Sequence, residues 1–147
     1  MKRTSLHFSA LLATLFLFAF SCQDHYVPEE PEEPVAAKVV TLEIQNLPEM
    51  GHYRYRVAFE TLGNVPITEY GTLVTFKKSL NDNDYNPVPV VGNFDKKILF
   101  QAKPIVGEVS IDLDLADEIA AYYEKYYRAY AVLANGSVVY GEVRNYD

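Results

Sequence analysis

The sequence predicts an all-β protein, a β-sandwich of about seven short strands with one short helix before the penultimate strand. Three observations carry that prediction. Apolar and polar residues alternate with period two through most of the chain after Lys38, as in strands with one buried face. Gly, Pro, Asn and Asp punctuate those stretches at short intervals, which is what turns between short strands require. Helical spacing is confined to 116–124. Many short strands in about 110 residues suit two stacked sheets, and a chain of this size buries roughly two thirds of its unfolded surface.

The first strand sets Val40, Leu42 and Ile44 against Thr41, Glu43 and Gln45, and Leu47-Pro48-Glu49-Met50-Gly51 is a turn. The second sets Tyr53, Tyr55, Val57 and Phe59 on one face, with His52, Arg54, Arg56, Ala58 and Glu60 on the other. Leu62-Gly63-Asn64-Val65-Pro66 turns the chain into a third strand from Ile67 to Lys77. Residues 78–97 are turn-rich and leave room for short strands at Val88–Val91 and Ile98–Ala102. Val109, Ile111, Leu113 and Leu115 then alternate with Ser110, Asp112 and Asp114. Ile119, Tyr122 and Tyr123 fall at helical spacing, with Asp114 as cap and Asp117 in the first turn. Tyr126 to Leu133 returns to strand. Asn135-Gly136 is a hairpin signal, because both residue types tolerate positive φ. Ser137 to Tyr146 is the last strand.

Composition excludes several classes. Of 147 residues 22% are charged and the net charge is −7, which argues against nucleic acid, whose binders meet phosphate with a basic patch. One Cys rules out an intramolecular disulfide. Twelve Tyr and eight Phe but no Trp supply the aromatics.

Residues 1–21 read as a signal for export. Lys2 and Arg3 open the chain, and an apolar run from Leu6 to Phe20 follows, broken only by His7, Ser9 and Thr14. That run is shorter than the roughly 20 residues of a spanning helix. It ends at Ala19-Phe20-Ser21-Cys22. A small residue before the chain's one Cys resembles the signal of bacterial lipoproteins of the Bacteroidetes type, with Phe20 where a small residue is usual. The resemblance implies that Cys22 becomes the lipidated first residue of the mature protein, placing it in the cell envelope as an outer-membrane lipoprotein. Cleavage removes Lys2 and Arg3 and takes the balance from −7 to −9. Residues 22–37 form an acidic Pro-rich tether, Asp24-His25-Tyr26-Val27-Pro28-Glu29-Glu30-Pro31 and onward. Its prolines forbid helix, and its glutamates repel one another. Residues 38–147 are the folded domain.

Two stretches of that domain resemble a known family. Ile67-Thr68-Glu69-Tyr70-Gly71 is similar to the start of the third strand in fibronectin type III-like domains of such lipoproteins. Tyr126-Tyr127-Arg128-Ala129-Tyr130-Ala131, then Asn135-Gly136, then Tyr140-Gly141-Glu142 resembles their final hairpin. The order and spacing match over most of 38–147. The usual Leu-x-Pro-x-Thr corner is absent, replaced by 116–124, and 77–107 is longer than usual. The resemblance implies an immunoglobulin-like sandwich and no catalytic residues, since such domains mostly present surfaces or act as spacers.

The residues themselves give little chemistry. Of three His only His52 lies in the domain, and no Gly-x-Ser-x-Gly is present, so a nucleophile–base pair has few candidates. Asn81-Asp82-Asn83-Asp84 groups oxygen ligands without the Gly and Glu of an EF-hand, and its residue types also suit a turn. Asp112, Asp114 and Asp117 read as solvated strand carboxylates, not the pair of a glycosidase cleft. No catalytic residue, metal site or cofactor is expected. The Tyr-rich run is the remaining feature: Tyr122, Tyr123, Tyr126, Tyr127 and Tyr130 fall within nine residues. Tyr127 shares a face with Ala129 and Ala131, which suits a core. Tyr126, Arg128 and Tyr130 share the other, with Tyr140 nearby in the hairpin. These four either pack across strands or form an exposed strip, since Tyr and Arg dominate protein interfaces and aromatic faces stack on sugars. The expected function is therefore non-enzymatic binding or display of the protein-interaction or adhesion kind. The alternative is a glycan-binding accessory of a polysaccharide-uptake system.

Overall fold

A computed structural model of the chain describes residues 32–49, 51–79, 81, 85–114 and 124–146. The residues from 33 onward form one compact unit. Among the described residues no helix occurs and eight strands do: β1 (Lys38–Thr41), β2 (Gln45–Asn46), β3 (His52–Thr61), β4 (Ile67–Lys77), β5 (Lys96–Leu99), β6 (Gly107–Asp114), β7 (Glu124–Leu133) and β8 (Val138–Asn145). The expected helix over 116–124 lies outside the described residues, except Glu124, which opens β7. Cys22 and residues 1–31 also lie outside them.

The strands form two antiparallel four-stranded sheets. In sheet A, β3 is central, with β6 on one side and β1 and β2 on the other. Sheet B has the order β5-β4-β7-β8. The core lies between them and draws on both: Val39, Tyr55, Val57, Phe59 and Val109 from sheet A, with Tyr70, Val74, Phe76, Ile98, Tyr127, Ala129, Ala131 and Leu133 from sheet B. Burying a Val, Leu, Ile or Phe side chain contributes about 1.5–3 kcal/mol. The face assigned to Tyr55, Val57 and Phe59 is the buried one, since their alternation leaves a single solution.

The first predicted strand is corrected in its phase. Val39 and Thr41, not Val40, face the core. Three residues, 42–44, stand opposite two, 55 and 56, on β3, and this bulge divides the stretch into β1 and β2. Alternation alone cannot reveal an inserted residue. Two expectations in the 78–102 region also shift. Val88–Val91 forms no strand, only a bridge between Val90 and Asn93 closed by Gly92 at φ 93°. The next strand runs Lys96–Leu99, two residues earlier than predicted. Gly71 sets that position: a Cβ there would overlap the Ile98 carbonyl, so only glycine lets β5 approach β4 so closely.

The hairpin at Asn135-Gly136 exists but is not built on two positive φ angles. Only Gly136 has one, at 83°. Gly136 N donates to Leu133 O at 2.9 Å and Leu133 N to Ser137 O at 2.9 Å. This is a turn followed by a left-handed glycine, the three-residue hairpin. Asn135 Oδ1 accepts from Ser137 N at 3.0 Å instead of supplying a positive φ.

One flank of the sandwich is sewn shut. Opposite the single residue Ala129, β8 carries two, Gly141 and Glu142, between the Arg128–Val143 and Tyr130–Tyr140 pairs. This bulge leaves Ala129 N and the Glu142 carbonyl without each other. Thr41 serves both: its Oγ1 accepts from Ala129 N at 3.0 Å and donates to Glu142 O at 2.6 Å. A Cβ on Gly141 would overlap Thr41 Oγ1 and Thr41 N. Further along, Tyr146 donates to Asn46 Oδ1 at 3.0 Å and packs edge-on against Tyr53, centroids 5.4 Å apart. Gly141 therefore has a mechanical reason: it admits a threonine from the other sheet.

Candidate functional site

The four residues singled out as a binding strip do come together, on the outer face of sheet B. Tyr126, Arg128 and Tyr130 point the same way from β7, and Tyr140 stands opposite Tyr130 on β8. Their neighbours on β4 are Thr75, Leu73 and Gly71. The strip is not an open patch. Tyr130 is 0% exposed, as is Leu73, and Thr75 is 3% exposed; Tyr126, Arg128 and Tyr140 are half-buried.

Residues 85–95 of the long β4–β5 connection form a strap over this face. Asp95 anchors one end: its Oδ2 accepts from Phe76 N at 2.8 Å, its N donates to Val74 O at 2.9 Å, and its Oδ1 meets Lys78 Nζ at 3.0 Å. Tyr85 holds the other end, its hydroxyl 3.4 Å from Thr75 Oγ1 and its ring 6.2 Å from that of Tyr126. Between them Pro89 is fully buried, and Val91 N donates to the Tyr140 hydroxyl at 3.0 Å. The seven-residue buried run Tyr70–Phe76 on β4 follows from this: the core covers one face and the strap the other.

Arg128 and Tyr130 are spent within the sheet itself. Arg128 Nε donates to Gly141 O at 2.6 Å, the carbonyl turned aside by the bulge. Its guanidinium carbon lies 4.4 Å from the Tyr140 ring centroid, a cation–π geometry. Tyr130 donates to Glu69 Oε1 at 2.7 Å, and Lys97 Nζ lies 3.3 Å from both oxygens of the same carboxylate. Burial first, then the Glu69 carboxylate, pushes the Tyr130 hydroxyl far above its ordinary pKa. The Tyr130 hydrogen bond, helped by Lys97, holds Glu69 below the usual carboxylate range.

Glu69 also borders a groove that sequence reasoning missed. It measures about 330 Å³, between the start of β4 and the chain leaving β5, and is lined by Thr68, Tyr70, Leu99, Gln101 and Pro104 among others. Tyr70 closes its floor by donating to Ala102 O at 2.7 Å. No periodic signal marks it, because 100–106 is irregular chain.

The outer face of sheet A holds the remaining candidates. His52 is half-buried, its Nε2 3.5 Å from Glu49 and 3.9 Å from Asp114. Asp112 is bound in a fork by Arg54, at 2.7 and 2.8 Å, and Glu108 likewise by Arg56, at 2.6 Å twice. The Arg54 hydrogen bond holds Asp112 below its ordinary pKa, and Arg56 does the same for Glu108. Asp117 and 82–84 of the candidate calcium loop lie outside the described residues; Asn81 N donates to Ser79 Oγ at 3.3 Å. Among the described residues no three His, Cys, Asp or Glu gather as metal ligands.

No family model, no curated protein and no solved structure matches the chain.

Proposed function

We propose that the chain is a lipid-anchored cell-envelope protein whose single immunoglobulin-like sandwich, of the fibronectin type III kind, acts in non-enzymatic protein interaction or display. The fold part of this reading is supported by strand order. β1 pairs with β3 and β3 with β6, whereas β4 pairs with β7, which itself pairs with β8. Such pairing suits the Greek-key connections of that architecture. The anchor rests on Lys2, Arg3, the apolar run to Phe20 and Cys22. A single acyl chain binds membranes only marginally, so stable anchoring needs more than one.

One observation carries the functional part. Tyr126 and Thr75 hold Tyr85, and Tyr140 holds Val91, so that a loop is fastened to a rigid sheet. Loops held on rigid scaffolds are where recognition concentrates, and this one turns Val88, Val91 and Phe94 outward. The glycan alternative needs free aromatic faces for stacking, and the ring of Tyr130 is enclosed.

Two measurements test the reading. A palmitate analogue fed to cells making the full chain labels it, and Cys22→Ala abolishes both label and membrane association. Cross-linking on intact cells, followed by capture, recovers a protein partner, and Phe94→Asp with Val91→Asp reduces recovery. Labelling that survives Cys22→Ala removes the anchor, and cross-linking without any partner removes the interaction module. A glycan array with a specific hit moves the function to the alternative.

A further inference from the structure

The flank opposite Thr41 is built differently. There β6 pairs with β3 alone among the described residues, and β5 with β4 alone. Over Gly107–Leu113 the outward edge of β6 is thus, among the described residues, a row of backbone donors and acceptors without a ladder, about 23 Å long. An unpaired edge is a template for another strand.

The side chains on the two faces of β6 state what that strand must look like. On the inward face Val109 is buried, but Ile111 and Leu113 are only half-covered. Just upstream, Ile105 and Val106 are 53% and 63% exposed. An added strand with apolar residues on this face finishes the rim of the core. The outward face carries Glu108, Ser110 and Asp112. Arg56 and Arg54 fork onto the two carboxylates from the β3 side. A carboxylate has about four acceptor positions and each fork uses two, so each keeps capacity towards the open side.

The same row opposes a second copy in the register centred on Ile111. Two β6 strands pairing antiparallel about Ile111 set Glu108 opposite Asp114 and Ser110 opposite Asp112, and like charges directly opposite are destabilising. We infer that the β6 edge accepts, by strand addition, an extended segment of a partner protein in which basic and apolar residues alternate. Main-chain bonds then supply affinity, and the alternating side chains supply the choice of partner. The inference rests on the protein-interaction reading above and gives it a second surface, distinct from the strap.

The experiment uses the full chain in detergent and three nine-residue peptides with blocked ends: alternating Lys and Val, alternating Glu and Val, and a block of Lys followed by a block of Val. The Lys/Val alternating peptide binds at least tenfold tighter than either control. It also slows amide exchange at least tenfold within Gly107–Leu113. Ser110→Lys, on an exposed position that makes no ladder fork, weakens that peptide at least threefold with an unchanged far-ultraviolet circular dichroism spectrum. Equal binding of all three peptides overturns the inference, as does no binding. So does protection, before any peptide is added, of those amides in Gly107–Leu113 that point away from β3, which means that the edge is already covered by this chain or by a second copy. The peptide result is independent of the palmitate label and of cross-linking to the strap, so either reading can fail without the other.

Discussion

The outer faces of the two sheets begin from the same kind of strand and end in opposite environments. On sheet A, alternate residues of β3 and β6 meet in an exposed ladder of forks, Arg54 on Asp112 and Arg56 on Glu108. On sheet B, the equivalent face carries Leu73, Thr75 and Tyr130 and is buried. The difference comes from the chain between the strands. The strap reaches back across sheet B and removes water from that face, while no described residue covers sheet A. Exposed ion pairs contribute little, because solvent screens them and their side chains lose entropy. A buried aromatic with a satisfied hydroxyl contributes far more.

The contrast can be broken most severely at Tyr130. Tyr130→Ala empties a fully enclosed site and should cost about 3–5 kcal/mol, read as a fall in the urea midpoint. If stability changes by under 1 kcal/mol, the outer face of sheet B is not a second buried layer. Next is the seam on the closed flank. Thr41→Val preserves shape but strands Ala129 N and the Glu142 carbonyl, at about 1–3 kcal/mol for each buried group left without a partner. An unchanged midpoint would mean that the seam is not what joins the sheets there.

A pH series sharpens the role of Glu69. Its folded pKa is lowered, with Tyr130 as the main cause, so its contribution is present above the ordinary carboxylate pKa and is lost as pH falls through the lowered folded value. Wild type should lose stability below about pH 4.3. Tyr130→Phe should lose less over the same interval, because the shift is smaller. Parallel acid profiles for the two proteins would show that the Tyr130–Glu69 bond does not bias the carboxylate.

The strap offers a smaller, local effect. Tyr140→Phe deletes the acceptor for Val91 N and should cost about 0.5–1.5 kcal/mol, with the exchange of the Val91 amide accelerated more than that of core amides such as Ala129. Uniform acceleration would mean that the strap opens only with the whole domain. The smallest change is expected on sheet A. Arg56→Met should shift stability less than any change above, and the shift should fade in 1 M salt, where the screening length falls to about 3 Å. A large, salt-insensitive loss would make the ladder a structural element of the same rank as the strap.

Alternation along the chain foretold the faces of β3, β6 and β7 and the bounds of β4, because side-chain direction in a strand is a local property with period two. The clustering of Tyr126, Arg128, Tyr130 and Tyr140 on one face was legible for the same reason. Whether that face is wet was not, since Tyr130 has the same neighbours in sequence whether a strap covers it or not. Thr41 shows the same limit from the core side: a polar residue in a hydrophobic pattern reads as outward, yet it points in because a bulge 88 residues away leaves a backbone N–H for it to satisfy. Local chemistry thus set strand, turn and face, whereas burial depended on which distant segment came to lie on top. Covering a surface requires a second piece of chain, and its path is closed by contacts such as Asp95–Phe76, Val91–Tyr140 and Thr41–Ala129 that form only when both pieces are in place.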